Sequence, residues 1–140
     1  MSLPTRGRMR VVLTDDDAGM REALRSLLAE HADIEVVGDA ADGRAALECA
    51  RALDPAIVVM DVVMPGMGGI EATRLLLAAR PGVRVIGLSL HEDRHFVAAM
   101  RAAGASGYLR KDRLHEELVP ALRAVAAGGS WWGAGAGAPG

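Results

Sequence analysis

"VVMDVVMPGMGG", Val58–Gly69, is the stretch on which the fold turns. Its opening is a near-continuous apolar run, the pattern of a strand covered on both faces, as in a parallel sheet. The run ends on one carboxylate, Asp61, and passes at once into a proline and glycines. Pro65 fixes φ, and the glycines let the backbone turn tightly. A lone acid where a buried strand surfaces into such a turn is either a turn residue or the working group of a site.

Working outward, segments of the same kind recur at "MRVVLT" (9–14), "IEVVGDA" (34–40), "AIVVMD" (56–61), "VRVIGLS" (83–89) and "SGYLR" (106–110). Helical spacing fills the intervals. Met20, Leu24, Leu27 and Leu28 share one face; so do Ala46, Ala50 and Leu53, with Cys49 beside them. Ile70, Thr73 and Leu77 follow, then Phe96, Val97 and Met100, then Leu114, Leu118, Leu122 and Val125. Pro55, "RPG" (80–82), Gly104 and Gly128-Gly129 supply the stops. Pro120 lies within the last helical pattern and is expected to bend that helix or shift its start. Five βα repeats predict an α/β, (βα)5 doubly wound, five-stranded parallel sheet of flavodoxin-like type, strand order 2-1-3-4-5.

The bulk numbers agree with one aliphatic-cored domain. The chain has 140 residues, is 51% hydrophobic and 24% charged, and has only 3% aromatics; a domain of this size buries roughly two-thirds of its unfolded surface. Residues 1–8 read as an irregular start whose "MSL" looks like a tag scar, 9–129 as the domain, and 130–140, "SWWGAGAGAPG", as a Gly/Ala-rich linker or truncated end. Trp131 and Trp132 would either anchor to a partner or to the last helix, or lie exposed. The net charge of −2 offers no basic field for nucleic acid, and Cys49, the single cysteine, suits a reducing cytoplasm. No apolar run approaches the roughly 18 residues of a membrane span.

In open parallel sheets ligands sit beyond the carboxyl ends of the strands. The first strand delivers Asp15–Asp17 there, the third Asp61, the fourth Ser89, and the fifth is followed by Lys111. Asp39 ends the second strand, at an edge away from the others. Converging carboxylates demand raised pKa values or a cation, and hard oxygen ligands in a half-wet pocket suit Mg2+. Asp61 is then a nucleophile able to hold a phosphoryl group as an acyl phosphate. Each acid also has a plainer use as a cap or turn residue, which is the expectation for Asp17. His91 and His95 lie four apart but lack a third ligand, and read as a solvated pair.

Residues 9–129 resemble the receiver domain of two-component response regulators, most of all the NarL/FixJ (LuxR-type) branch. "VVLTDDD", "VVGDAADGRAAL", "VVMDVVMPGMGGIEATR" and "GASGYLRKD", in that order and spacing, carry the likeness. The resemblance implies that Asp61 accepts a phosphoryl group from a sensor histidine kinase. It implies that Asp16 and the Val63 backbone carbonyl bind Mg2+ (or Mn2+) with Asp61, that Asp15 does so through water, and that Lys111 pairs with the phosphoryl oxygens. Ser89 would swing to hydrogen-bond the phosphate and Tyr108 would follow as the aromatic switch. A DNA-binding output domain absent from this chain, a homodimer on phosphorylation, a cytoplasmic setting and no direct nucleic-acid or membrane binding complete the expectation. So does the absence of any enzymatic role beyond the domain's own phosphorylation and dephosphorylation. Gly68 stands where many relatives have an acid, and Asp112 follows the lysine in place of the commoner proline. Val63 and His91 flank the expected path of attacking water, and an apolar Val63 is expected to slow hydrolysis. Two other functions stay open: a metal-dependent aspartyl phosphohydrolase, although Val63 sits where such enzymes carry a second acid, and a pseudo-receiver that acts only by protein contact.

Overall fold

A computed structural model describes residues 7–90 and 94–133. Strands and helices alternate: β1 (Met9–Thr14), α1 (Ala18–Leu28), β2 (Ile34–Ala40), α2 (Gly43–Leu53), β3 (Ile57–Asp61), α3 (Gly69–Ala79), β4 (Arg84–Ser89), α4 (Arg94–Ala102), β5 (Gly107–Arg110) and α5 (Leu114–Ala126). The sheet is parallel with order β2-β1-β3-β4-β5, as the repeat pattern predicts.

Alternation along each strand sorts the core into two halves. Val11, Leu13, Ile57, Val59, Ile86, Leu88 and Leu109 face one way and pack with α1 and α5. Their neighbours Val12, Val58, Met60, Val85 and Tyr108 face the other way, against α2, α3 and α4. Both faces are covered, which is why these strands read as unbroken apolar runs. Each Val, Leu or Ile so buried stabilises the fold by roughly 1.5–3 kcal/mol.

The helix ends follow the punctuation in the sequence. Asp17 caps α1 by accepting from the Gly19 amide at 2.9 Å, and Asp42 caps α2 by accepting from the Ala45 amide at 2.8 Å. Gly104 (φ 105°) and Gly128 (φ 98°) take left-handed conformations just beyond α4 and α5, where a Cβ would be strained.

Two expectations are corrected. The buried stripe of α3 is Gly69, Ala72, Thr73 and Leu76, with Ile70 and Leu77 only half-buried. The small side chains of Gly69 and Ala72 let that face approach the sheet, so the helix turns them inward. Pro120 does not move the start of α5, which runs unbroken through it from Leu114 to Ala126. Pro120 and Glu116, the residue that would have received its missing N–H, are both exposed, so water can satisfy the orphaned carbonyl. After α5, the alternatives left open for Trp131 and Trp132 resolve toward anchoring, while residues 134–140 of the expected linker lie outside the described residues. Trp131 forms a parallel bridge with Gly107, and Trp131 and Trp132 rest against opposite core halves. Large apolar rings can recover the ordering cost that glycine and alanine cannot.

Candidate functional site

The carboxyl rim of the sheet gathers the acids from separate strands. Asp15 follows β1 and is fully buried; Asp61 ends β3 and is 3% exposed; Asp16 is exposed beside them. Carboxylate oxygens from all three lie within 4.8 Å of one another. From the end of β5, Lys111 reaches in, its Nζ 2.7 Å from Asp15 Oδ2 and 3.4 Å from Asp61 Oδ1. Ser89, at the end of β4, is 5% exposed and lines the same cleft of about 450 Å3. The sheet order brings these groups together: β1 lies directly beside β3, with β2 displaced to the outer edge, and β4 and β5 continue from β3.

Local hydrogen bonds hold Asp15 and Asp61 in place. Asp15 Oδ1 accepts from the Asp17 amide at 2.9 Å, leaving Oδ2 for Lys111. The Asp15 carbonyl accepts from Arg21 on α1 at 2.7 Å, a support that the sequence reading missed. The spacing of a short turn plus one helical turn between Asp15 and Arg21 is the signal that could have found it. Asp61 Oδ1 receives the Val63 amide at 3.4 Å. Behind it the turn runs Val62 to Gly69, closed by the Gly69 amide donating to the Val62 carbonyl at 2.9 Å. A Cβ at Gly69 would collide with the Asp61 carbonyl oxygen, so the start of α3 can lie against the acid's own peptide only as glycine. Gly66 turns the loop with φ 73°.

Electrostatics at the rim are unbalanced. Burial, then the charge of Asp15, and a hydrogen bond with Asp16 push the Asp61 carboxyl up to about 7, only partly offset by Lys111. Burial pulls the Lys111 ammonium down, but its hydrogen bond to Asp15 and the charges of Asp61 and Asp15 more than reverse that, so it is held above its ordinary value. One ammonium cannot neutralise three acids, and the remaining negative charge calls for a cation. The donor set fits Mg2+: exposed Asp16 and rim-facing Asp61 have oxygens to offer, whereas both oxygens of Asp15 are already engaged.

The remaining sequence candidates fall as follows. Val63 is 61% exposed on the cleft wall, near exposed Leu90 and half-buried Phe96. Tyr108 is 4% exposed, its ring already inside the core half shared with Met100. Asp39 stands apart, paired with Arg25 at 2.9 Å and Arg21 at 3.8 Å. Cys49 is half-buried, with its thiol donating to the Asp39 carbonyl at 3.5 Å. His95 is exposed at the start of α4, and His91 lies outside the described residues. Among the described residues no helix is long and apolar enough to cross a membrane.

Comparison with known proteins agrees with this geometry. The family model described as the response regulator receiver domain matches residues 11–123. The transcriptional regulatory protein DegU of Brevibacillus brevis is 38% identical over 89% of this chain and 52% of its own length. The response regulator GacA of Pseudomonas aeruginosa is 41% identical over 86% of this chain and 56% of its own. The chain thus spans about half the length of these curated relatives. Among solved structures, a LuxR-family two-component response regulator from Aurantimonas superposes with a TM-score of 0.85 at 38% identity, covering 89% of both chains. The receiver domain of the putative response regulator NarL from Mycobacterium tuberculosis gives 0.82 at 35% identity, covering 86% of this chain and 98% of that one. With buried acids from β1 and β3 sharing one lysine at the rim of a 2-1-3-4-5 sheet, and the match running through every repeat, this chain belongs to the response regulator receiver domain family and resembles its LuxR/NarL members.

Proposed function

We propose that the domain is a phosphorylation-driven switch whose acceptor is Asp61. The observation that carries this is the Lys111 ammonium lodged between Asp15 and Asp61, with three carboxylates close enough to share one cation. A sensor histidine kinase presents a phosphohistidine. An Asp61 oxygen forms the new bond to phosphorus as the phosphorus–nitrogen bond breaks, and the imidazole leaves with that electron pair.

Asp16, Asp61 and the Val63 carbonyl would hold Mg2+ (or Mn2+) directly, with Asp15 acting through water. Bound there, the metal would neutralise charge building on the transferring oxygens. Lys111 supplies the fixed positive charge on the other side, and Ser89 turns its hydroxyl toward the acquired phosphoryl group. Tyr108 then adjusts beside it, so the face formed by α4, β5 and α5 changes its choice of partner. A phosphoryl group that these residues hold best in one conformation shifts the population toward it. The output is transcriptional, through a DNA-binding domain outside this chain, in keeping with a relative described as a transcriptional regulatory protein, with dimerisation on phosphorylation and a cytoplasmic setting. The domain by itself binds neither DNA nor membrane, and its chemistry is confined to its own phosphorylation and dephosphorylation.

Incubation with Mg2+ and acetyl phosphate, followed by intact mass, tests this. One added phosphoryl group, absent in Asp61→Asn and without metal, is the expected result. Turnover of phosphomonoesters would point instead to a hydrolase, and an unchanged mass to an interaction module.

A further inference from the structure

The segment that follows α5 returns along the outer edge of β5 and touches three elements. The Trp131 amide donates to the Ser106 carbonyl at 3.0 Å, and the Tyr108 amide donates to the Trp131 carbonyl at 2.8 Å. The Trp131 indole Nε1 donates to Glu117 Oε1 on α5 at 3.1 Å. One residue on, the Trp132 ring stacks under the Arg101 guanidinium of α4, 4.3 Å from the ring centroid. Gly107 admits this path. A Cβ there would sit 2.6 Å from the Trp131 carbonyl oxygen, and its three nearest atoms would all belong to the Trp131 backbone. Edge strands present hydrogen-bonding groups to any passing chain; here the Ser106 carbonyl and the Tyr108 amide are already engaged.

We propose that Trp131–Trp132 is a clasp: the face formed by α4, β5 and α5 is a docking surface occupied in the resting protein by this segment of the same chain, and phosphorylation of Asp61, the switch function proposed above, loosens it. β4 ends at Ser89 inside the phosphoryl cleft, Leu90 and, from α4, Phe96 line that same cleft, and α4 also carries Arg101. Trp131 is fastened to β5 and α5, whereas Trp132 is fastened to α4. A shift of α4 relative to β5 therefore pulls on both holds at once. By linkage, releasing the clasp must in turn favour the phosphorylated state.

Both tryptophans of the chain lie in the clasp, so their emission reports on it alone. The first arm compares the unphosphorylated protein with Gly107→Ala, whose added methyl meets the clasp before anything else. A red-shifted emission and faster acrylamide quenching in the variant, with unchanged far-ultraviolet circular dichroism, are expected. Identical emission from both would overturn the docking. Arg101→Ala, which leaves β5 untouched, gives a smaller shift of the same sign; no shift there removes α4 from the mechanism and overturns the coupling. The second arm adds Mg2+ and acetyl phosphate and follows mass and emission together. Phosphoryl gain with a red shift supports the proposal. Phosphoryl gain with unchanged or blue-shifted emission overturns the clasp and leaves the switch standing. No gain in mass overturns the switch, and the coupling with it.

Discussion

The carboxyl rim of the sheet and the outer edge of β5 are neighbours held by opposite means. At the rim, three acids and one ammonium are packed together, and Asp61 stays well above its ordinary pKa because burial and Asp15 oppose its charge. At the edge, two backbone hydrogen bonds, one indole-to-carboxylate bond to Glu117 and one stacked arginine fasten Trp131 and Trp132 without a cluster of like charges. The rim is thus poised to gain from an incoming cation or phosphoryl group. The edge is poised to come apart at little cost. A strained receptor beside a weakly fastened reporter is a workable layout for a switch.

The comparison breaks most sharply at Lys111. Lys111→Met leaves the buried Asp15 and Asp61 without their shared partner, and should destabilise the domain by about 3 kcal/mol, read as a lower urea midpoint at pH 7. Unchanged stability would mean the rim is not under electrostatic tension.

Asp61→Asn should act in the opposite direction. The folded protein keeps a proton on Asp61 up to about pH 7, whereas the ordinary carboxyl releases it near 3.8. The folded state therefore binds more protons across that window, and stability falls as pH rises through it. In metal-free buffer at pH 8 the Asn variant should exceed the wild type by on the order of a few kcal/mol, and the gap should close toward pH 4. Thermal melts at the two pH values check the sign.

Two glycines sharpen the contrast. Gly69→Ala drives a methyl into the Asp61 backbone and should cost about 1–3 kcal/mol, with slower phosphoryl uptake from acetyl phosphate. Gly107→Ala meets only the clasp first and should leave the urea midpoint nearly unchanged. Equal losses in both would erase the distinction between a strained rim and a lightly held edge. The smallest effect belongs to Val63→Asn, at an exposed position on the cleft wall. It should leave stability unaltered but shorten the phosphoryl lifetime by letting a polar group hold the attacking water; an unchanged dephosphorylation rate would remove Val63 from that role.

Much of the rim was legible in the linear chain. Apolar runs ending in Asp15, Asp61 and Ser89, with Lys111 after the last, identify strand ends because side-chain alternation and helix spacing are local properties. Asp17 as a cap was legible for the same reason, since the Gly19 amide that donates to it lies two residues away. The inward face of α3 was not. Helical spacing fits both Ile70–Thr73–Leu77 and Ala72–Thr73–Leu76, and only the close approach allowed by Gly69 chooses between them. Nor was the continuity of α5 through Pro120, which depends on both residues at that point facing water.

Sequence alone therefore determined the order of elements, the family likeness and the residue types that meet at the rim. Packing decided how those charges are shared: which oxygen of Asp15 faces Lys111, and how far burial raises Asp61. It also decided that "SWW" lies against the domain, because Ser106, Tyr108, Glu117 and Arg101 come together only after the sheet and its helices have closed. Contacts between residues far apart along the chain depend on that closure, and no local pattern announces them.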